Sequence, residues 1–267
     1  MMAGHRPRKR FGQHFLRDQQ VIDRIVAAIR PEPGQAIVEI GPGEGVLTRP
    51  VIERTGQLDV VELDRDLAAT LADRLGQPKG LTVHQADALK FDFASLAGGG
   101  KLRVIGNLPY NISTPLIFHL LAQAEVISDM LFMLQKEVVD RLVASPGSSA
   151  YGRLSVMASL YCEMDWLFDV PPQAFKPPPK VDSAIIRMVP KPLSDSDRAL
   201  LPALEQLVRT SFGQRRKTLR KSLKGLVDDE CFETAGVDPT ARPETLSLNQ
   251  FKTLARTRNP ETGNRKP

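Results

Sequence analysis

The apolar positions of this chain fall into two regimes. Val21, Ile22, Ile25, Val26 and Ile29 recur at helical spacing, and Pro31 stops that helix. Short apolar runs then alternate with helical stretches. Ala36–Ile40 reads as a buried strand followed by a Gly-rich turn, and a helix over Val51 and Ile52 ends near Gly56. Leu58–Val61 is a second strand; Leu67, Leu71 and Leu75 mark a helix face closed by Gly76 and Pro78. Leu81–Val83, Leu102–Ile105 and Met130–Leu134 are further strands. Pro115 suits the first turn of a helix through Ala122, and Lys136–Ala144 reads as another helix, ended by Ser145-Pro146-Gly147. Such alternation predicts an α/β fold whose parallel sheet is covered on both faces. Tyr161–Val170 and Ala184–Val189 read as strands with no helical crossover, an antiparallel edge flanking a Pro-rich stretch. Beyond Pro190–Ser196 only helical spacing remains, in Leu200, Leu204, Leu207 and Val208 and again in Leu219, Leu223 and Leu226. The expected division is therefore an α/β domain over 1–193 and a small all-helical domain over 194–267.

Charge sharpens this picture. Lys and Arg number 36 against 31 Asp and Glu, but the excess is concentrated. Arg6, Arg8, Lys9, Arg10 and Arg17 precede any acid, and Arg209, Arg215, Arg216, Lys217, Arg220, Lys221 and Lys224 form a second acid-free run. The remaining 24 basic and 31 acidic residues carry −7, so an acidic body bears two basic patches. A polyanionic partner, RNA or DNA, follows, and Arg215, Arg216, Arg220, Lys221 and Lys224 are the expected docking side chains. No run approaches the eighteen apolar residues of a membrane span, and the charged start lacks the apolar region of a secretory signal. Cys162 and Cys231 are too few for a disulfide framework or a four-ligand zinc site, so no metal is expected. The expected compartment is the cytoplasm.

The chemistry-bearing residues sit at strand ends. The first strand of the alternating region runs into Gly41-Pro42-Gly43-Glu44-Gly45, a turn whose glycines let backbone pass close to a ligand. Its G-x-G-x-G spacing departs from the G-x-G-x-x-G of dinucleotide sites, and no Walker lysine follows. The next strand ends in Glu62, suited to two ribose hydroxyls, and the one after is followed by Asp87, suited to an adenine amino group. Together these describe a pocket for a nucleoside without phosphates, pointing to S-adenosylmethionine. The strand after that ends in Gly106-Asn107-Leu108-Pro109-Tyr110. An adenine amine is a poor nucleophile that needs acceptors for its N–H groups. The Asn107 side-chain oxygen and the Pro109 carbonyl can supply two, and Tyr110 offers a face for a flipped-out base.

These motifs resemble the KsgA family of 16S ribosomal RNA adenine dimethyltransferases over nearly the whole chain. The matching segments are Phe11-Gly12-Gln13-His14-Phe15-Leu16, Glu39-Ile40-Gly41-Pro42-Gly43, Asn107-Leu108-Pro109-Tyr110-Asn111-Ile112-Ser113 and Phe175-Lys176-Pro177-Pro178-Pro179-Lys180-Val181-Asp182-Ser183. Arg209-Thr210-Ser211-Phe212 and the basic run after it resemble the family's helical domain. The resemblance implies a Rossmann-like S-adenosylmethionine methyltransferase sheet with a small C-terminal all-helical domain. It implies cofactor contacts at His14, Leu16, Gly41, Glu62, Asp87 and Asn107, and catalytic roles for Asn107, Pro109, Tyr110 and Phe175. His14 stands where the family most often has Asn. Phe175 is expected as a second aromatic wall for the target base. The implied partner is the small ribosomal subunit and its rRNA, met by a monomer with no membrane attachment. Competing readings are a large-subunit methylase of the macrolide-resistance type, a non-catalytic assembly factor, and a nicotinamide oxidoreductase, which the glycine spacing disfavours.

Overall fold

The computed structural model describes residues 14–258. The basic residues Arg6, Arg8, Lys9 and Arg10 and the motif residues Phe11, Gly12 and Gln13 lie outside them.

In chain order the first body holds β1 (Phe15–Leu16), α1 (Gln19–Ile29), β2 (Ile37–Ile40), α2 (Thr48–Thr55), β3 (Leu58–Glu62), α3 (Arg65–Leu75) and β4 (Leu81–Gln85). It continues with β5 (Leu102–Asn107), α4 (Ser113–Leu121) and β6 (Ile127–Gln135), from which α5 (Lys136–Leu142) leads away. After α6 (Arg153–Tyr161) the chain returns through β7 (Cys162–Val170), β8 (Phe175–Lys176) and β9 (Ser183–Pro190). Seven strands form one sheet in the order β4-β3-β2-β5-β6-β9-β7, and β1 pairs with β8 apart from it. Pairings from β4 through β6 are parallel, and β9 runs antiparallel to β6. All four residues of β2 are buried, as expected of a strand covered on both faces. From β2 the chain builds outward on one side through β3 and β4, then crosses to β5 and β6 on the other. That reversal opens a crevice at the carboxyl ends of β2 and β5, where open α/β sheets hold ligands.

Local signals fix the elements. The Asp18 carboxylate caps α1 by accepting from the Gln20 and Val21 amides, and Asp64 caps α3 through the Asp66 amide. At the end of the sheet remote from the crevice, Asp129 on β6 meets Arg103 of β5 at 2.7 Å and Arg187 of β9 at 2.7 Å. Arg103 also donates to the Ile29 carbonyl at 2.6 Å, tying the end of α1 to the sheet. Burial pulls the Asp129 carboxyl upward, but the two guanidiniums outweigh it and hold the group below its ordinary value.

The second body holds α6, α7 (Asp195–Gly213), α8 (Leu219–Ser222), α9 (Asp229–Ala235) and α10 (Leu248–Thr257), with no strand among its described residues beyond Cys162 at the start of β7. Leu200, Leu204, Leu207 and Val208 of α7 and Phe251, Leu254 and Ala255 of α10 are its buried stripes. The expected single boundary at 193 is corrected. One body holds the chain up to Val139 with Glu163–Pro190, and the other holds Asp140–Cys162 with the chain from Lys191 onward. The 140–162 excursion belongs to the helical body because its own groups are satisfied there. The Tyr151 hydroxyl donates to the Leu246 carbonyl at 2.9 Å, its ring meets Phe212, and the Gly147 amide donates to the Glu244 carbonyl at 2.7 Å. The helix α6 within it was not anticipated; the strand expected from Tyr161 begins at Cys162. Among the described residues no helix is long and apolar enough to cross a membrane.

Candidate functional site

The crevice is a cleft lined from the carboxyl ends of β2, β3, β4 and β5 and from β1. The turn after β2 takes positive φ at Gly41 (67°) and Gly43 (58°), values only glycine adopts without strain. The Gly41 amide donates to the Val61 carbonyl at 2.9 Å, holding the turn against β3. A Cβ on Gly43 would stand 3.2 Å from the Phe15 ring, so β1 closes directly over the turn.

Glu62, at the tip of β3, is nearly buried and accepts from the Asp64 amide at 2.8 Å and the Gly43 amide at 3.3 Å. Burial raises its carboxyl, and these backbone donors partly oppose the rise. Asp87, past the end of β4, lines the same cleft with one oxygen accepting from the Leu89 amide at 3.0 Å. Among the lining residues to which the sequence assigns no role, two carry chemistry. Leu63 is 51% exposed, an apolar side chain left open beside Glu62. Glu39 is buried, takes the Thr48 hydroxyl at 2.6 Å, and lies close enough to Glu62 to feel its charge. Desolvation pushes the Glu39 carboxyl up to about 7. The available signals were weak: an acid inside an otherwise apolar strand, and an apolar residue directly after an acidic strand end.

At the other side of the cleft, the Asn107 amide nitrogen donates to the His14 backbone carbonyl at 3.4 Å, which among the described residues leaves its side-chain oxygen as the unengaged acceptor. Tyr110 is half-buried, and its hydroxyl shares a 2.7 Å hydrogen bond with the buried Ser183 hydroxyl. Burial raises the phenol's pKa and the Ser183 contact opposes the rise. The His14 ring lies near-parallel to Tyr110, at 24° with centroids 6.0 Å apart, and Nδ1 meets the Pro177 carbonyl at 2.8 Å. Leu16 is buried at the cleft floor.

Two expectations are corrected here. The Pro109 carbonyl already accepts from the Ile112 amide at 3.1 Å and the Ser113 hydroxyl at 3.0 Å, which uses both of its lone pairs to start α4. The Leu108 carbonyl, on a residue that also lines the cleft, has no such donor among the described residues and is the backbone acceptor left open. Phe175 is not part of the cleft lining. Pairing of β8 with β1 sets it opposite Leu16, and it is 4% exposed in an apolar cluster with Val21, Ile22 and Ile25. It is a core residue beneath the Pro-rich loop, and the ring that faces Tyr110 belongs to His14.

The basic run is also rearranged. α7 ends at Gly213, and only Leu219–Ser222 is helical, a single turn. Leu219, Leu223 and Leu226 are buried as their spacing predicts, and Arg215, Arg216, Arg220, Lys221 and Lys224 are exposed. Arg220 pairs with Asp229 at 3.1 Å and Arg215 donates to the Ser149 carbonyl at 2.6 Å, so these two are partly spoken for within the helical body.

The donor set selects among ligands. Five carboxylates line the cleft, and no Lys or Arg does among the described residues. Such a lining repels phosphates and suits a nucleoside bearing positive charge, as a sulfonium does. No group of three or more His, Cys, Asp and Glu side chains is placed to hold a metal ion among the described residues.

The comparisons with known proteins agree with this geometry. The model of the family described as ribosomal RNA adenine dimethylase matches residues 4–258. The ribosomal RNA small subunit methyltransferase A of Acinetobacter baylyi is 57% identical over 256 residues, covering 94% of this chain and 92% of the relative. That of a Marinomonas species is 58% identical over 252 residues, covering 94% and 95%. Among solved structures, a dimethyladenosine transferase from Plasmodium falciparum superposes with a TM-score of 0.76 at 26% identity, covering 90% of this chain and 96% of that one. The 23S rRNA methyltransferase ErmE superposes with a TM-score of 0.68 at 28% identity, covering 91% and 98%. With its sheet, its acid-lined cleft and a family match over nearly its whole length, the chain belongs to the ribosomal RNA adenine dimethylases, S-adenosylmethionine-dependent methyltransferases that act on ribosomal RNA.

Proposed function

We propose that this chain dimethylates the N6 amine of two adjacent adenosines in small-subunit ribosomal RNA, in the cytoplasm, acting as a monomer on the assembling subunit. The observation that carries this reading is the orientation of Asn107: its amide nitrogen is held by the His14 carbonyl, so its oxygen is free to accept from an amine. With the Leu108 carbonyl it offers two acceptors to the two N–H groups of an adenine stacked on Tyr110. Bound S-adenosylmethionine supplies a methyl group activated by its sulfonium. The residues position and desolvate; the nitrogen becomes acidic as it is alkylated, so no side chain needs to remove a proton beforehand. Glu62 suits the ribose hydroxyls, Asp87 the adenine amine and Leu63 the adenine face of the cofactor. The relatives' printed names favour the small subunit, and their identities of 57% and 58% exceed the 28% to the 23S enzyme.

The test is transfer of tritiated methyl from S-adenosylmethionine to small and large subunits lacking the modification, followed by nucleoside analysis. Dimethyladenosine in the small subunit is expected. Asn107→Ala should lower turnover by about 10²-fold or more, the scale of losing one oriented polar group in an active site. Labelling confined to the large subunit, or wild-type turnover in Asn107→Ala, would overturn the reading.

A further inference from the structure

Among its described lining residues the cleft has one side chain that can carry positive charge, and the cofactor brings a negative one. S-adenosylmethionine carries an α-carboxylate as well as two positive charges. The described lining carries five carboxylates, Glu39, Glu44, Glu62, Asp64 and Asp87. For the carboxylate it has no Lys or Arg among the described residues; His14 is the lining side chain that can become cationic. Histidine changes charge in the physiological range, and its two nitrogens have distinct roles.

The hydrogen bond to Pro177 fixes those roles. A carbonyl only accepts, so Nδ1 must carry the proton in its 2.8 Å contact with the Pro177 oxygen. In the neutral ring Nε2 is then a bare lone pair, which repels a carboxylate. Only the imidazolium turns Nε2 into a donor. No protein atom takes a hydrogen bond from Nε2 among the described residues, and the ring is held in place by Pro177 on one edge and Tyr110 on its face. An asparagine here could donate to a carboxylate at any pH; this histidine cannot.

We propose that His14 binds the α-carboxylate of the cofactor in its protonated form, so that cofactor binding takes up a proton at this site. The proposal rests on the cofactor reading above. The charged groups around His14 are consistent with it. From the turn after β1, Arg17 is already engaged with Glu44. From β8, Lys176 pairs through its backbone with Phe15. The turn after β5 presents neutral Tyr110, and the other charged lining groups are acids. An anion beside the imidazole raises its affinity for a proton, so binding is strongest at low pH and weakens as pH rises.

Isothermal titration calorimetry with S-adenosylhomocysteine measures this directly. Titrations at pH 7 in phosphate and in Tris, whose ionisation enthalpies differ, report the protons exchanged. Glu39 and the ligand's own amine also titrate, so the comparison is between wild type and His14→Asn. Wild type should take up a larger fraction of a proton than the variant, and its Kd should weaken several-fold more between pH 6 and pH 8. With 5′-methylthioadenosine, which lacks the amino-acid moiety, the two proteins should behave alike. Equal proton uptake and parallel Kd profiles with S-adenosylhomocysteine would overturn the role of His14. Failure of the wild type to bind S-adenosylhomocysteine would instead overturn the cofactor reading.

Discussion

Replacing Glu39 by Gln should stabilise the protein above neutral pH. The side chain is 2% exposed on β2, in the middle of the sheet, where ionisation costs solvation that one hydroxyl does not replace. Its carboxyl is raised from 4.5 to about 7, chiefly by that desolvation, with the Thr48 hydrogen bond opposing and Glu62 adding to the rise. A raised folded-state value means that the group's contribution is fully present below the unfolded value and is lost as pH climbs through about 7. At about 1.4 kcal/mol per unit the shift amounts to roughly 3 kcal/mol, of which roughly 2–3 kcal/mol falls between pH 5 and pH 8. Gln keeps an oxygen for the Thr48 hydroxyl and has no charge to desolvate. Urea denaturation of the cofactor-free protein at a series of pH values is the assay. The stability difference between Glu39→Gln and wild type should shift in the variant's favour by that amount from pH 5 to pH 8. Parallel stability curves would show that Glu39 titrates normally, and the desolvation argument would fail.

Three further outcomes follow from the geometry. Tyr110→Phe removes one hydrogen bond to Ser183 and should cost methyl transfer no more than about tenfold, whereas Tyr110→Ala also loses stacking worth about 1–3 kcal/mol; equal losses in steady-state assays on small subunits would discard the stacking role. Asp129→Ala strands two buried or half-buried guanidiniums and should lower stability in urea by about 3–5 kcal/mol, while a loss under about 1 kcal/mol would mean the pairs are solvent-compensated. Replacing Arg216, Arg220 and Lys221 together by Gln should weaken subunit binding and flatten its log–log salt dependence by about two units rather than three, because Arg220 is already paired with Asp229; filter binding with an unchanged slope would leave the segment as a solvated face.

Much of the fold was legible because buried parallel strands and amphipathic helices write different periods. Val38 to Ile40, Leu67 with Leu71 and Leu75, and the α7 leucines landed in the expected elements. What escaped were features fixed by tertiary contacts. The helix α6 buries six of its nine residues, including Leu154, Val156 and Met157, so it lacks the one-sided stripe that marks an amphipathic helix. The excursion 140–162 joins the helical body through Tyr151 and backbone amides, contacts that no local pattern announces. The basic run kept its buried leucines but not its helix, because three residues at helical spacing constrain burial rather than length.

The site was legible at the level of residue type and less so at the level of atoms. Glycines and acids at successive strand ends mark a nucleoside pocket, because only strand carboxyl ends converge there. Which carbonyl remains open after Asn107 depends on where α4 begins. Ser113 and Ile112 take the Pro109 oxygen to satisfy the helix start, and that leaves Leu108. Phe175 leaves its expected place beside the target base for a similar reason. A two-residue pairing of β1 with β8 turns the phenyl ring into the core opposite Leu16 and leaves His14 as the ring that faces Tyr110. A motif fixes which side chains gather at the cleft. The hydrogen bonds that finish the neighbouring helix and strand decide which of their atoms face the amine.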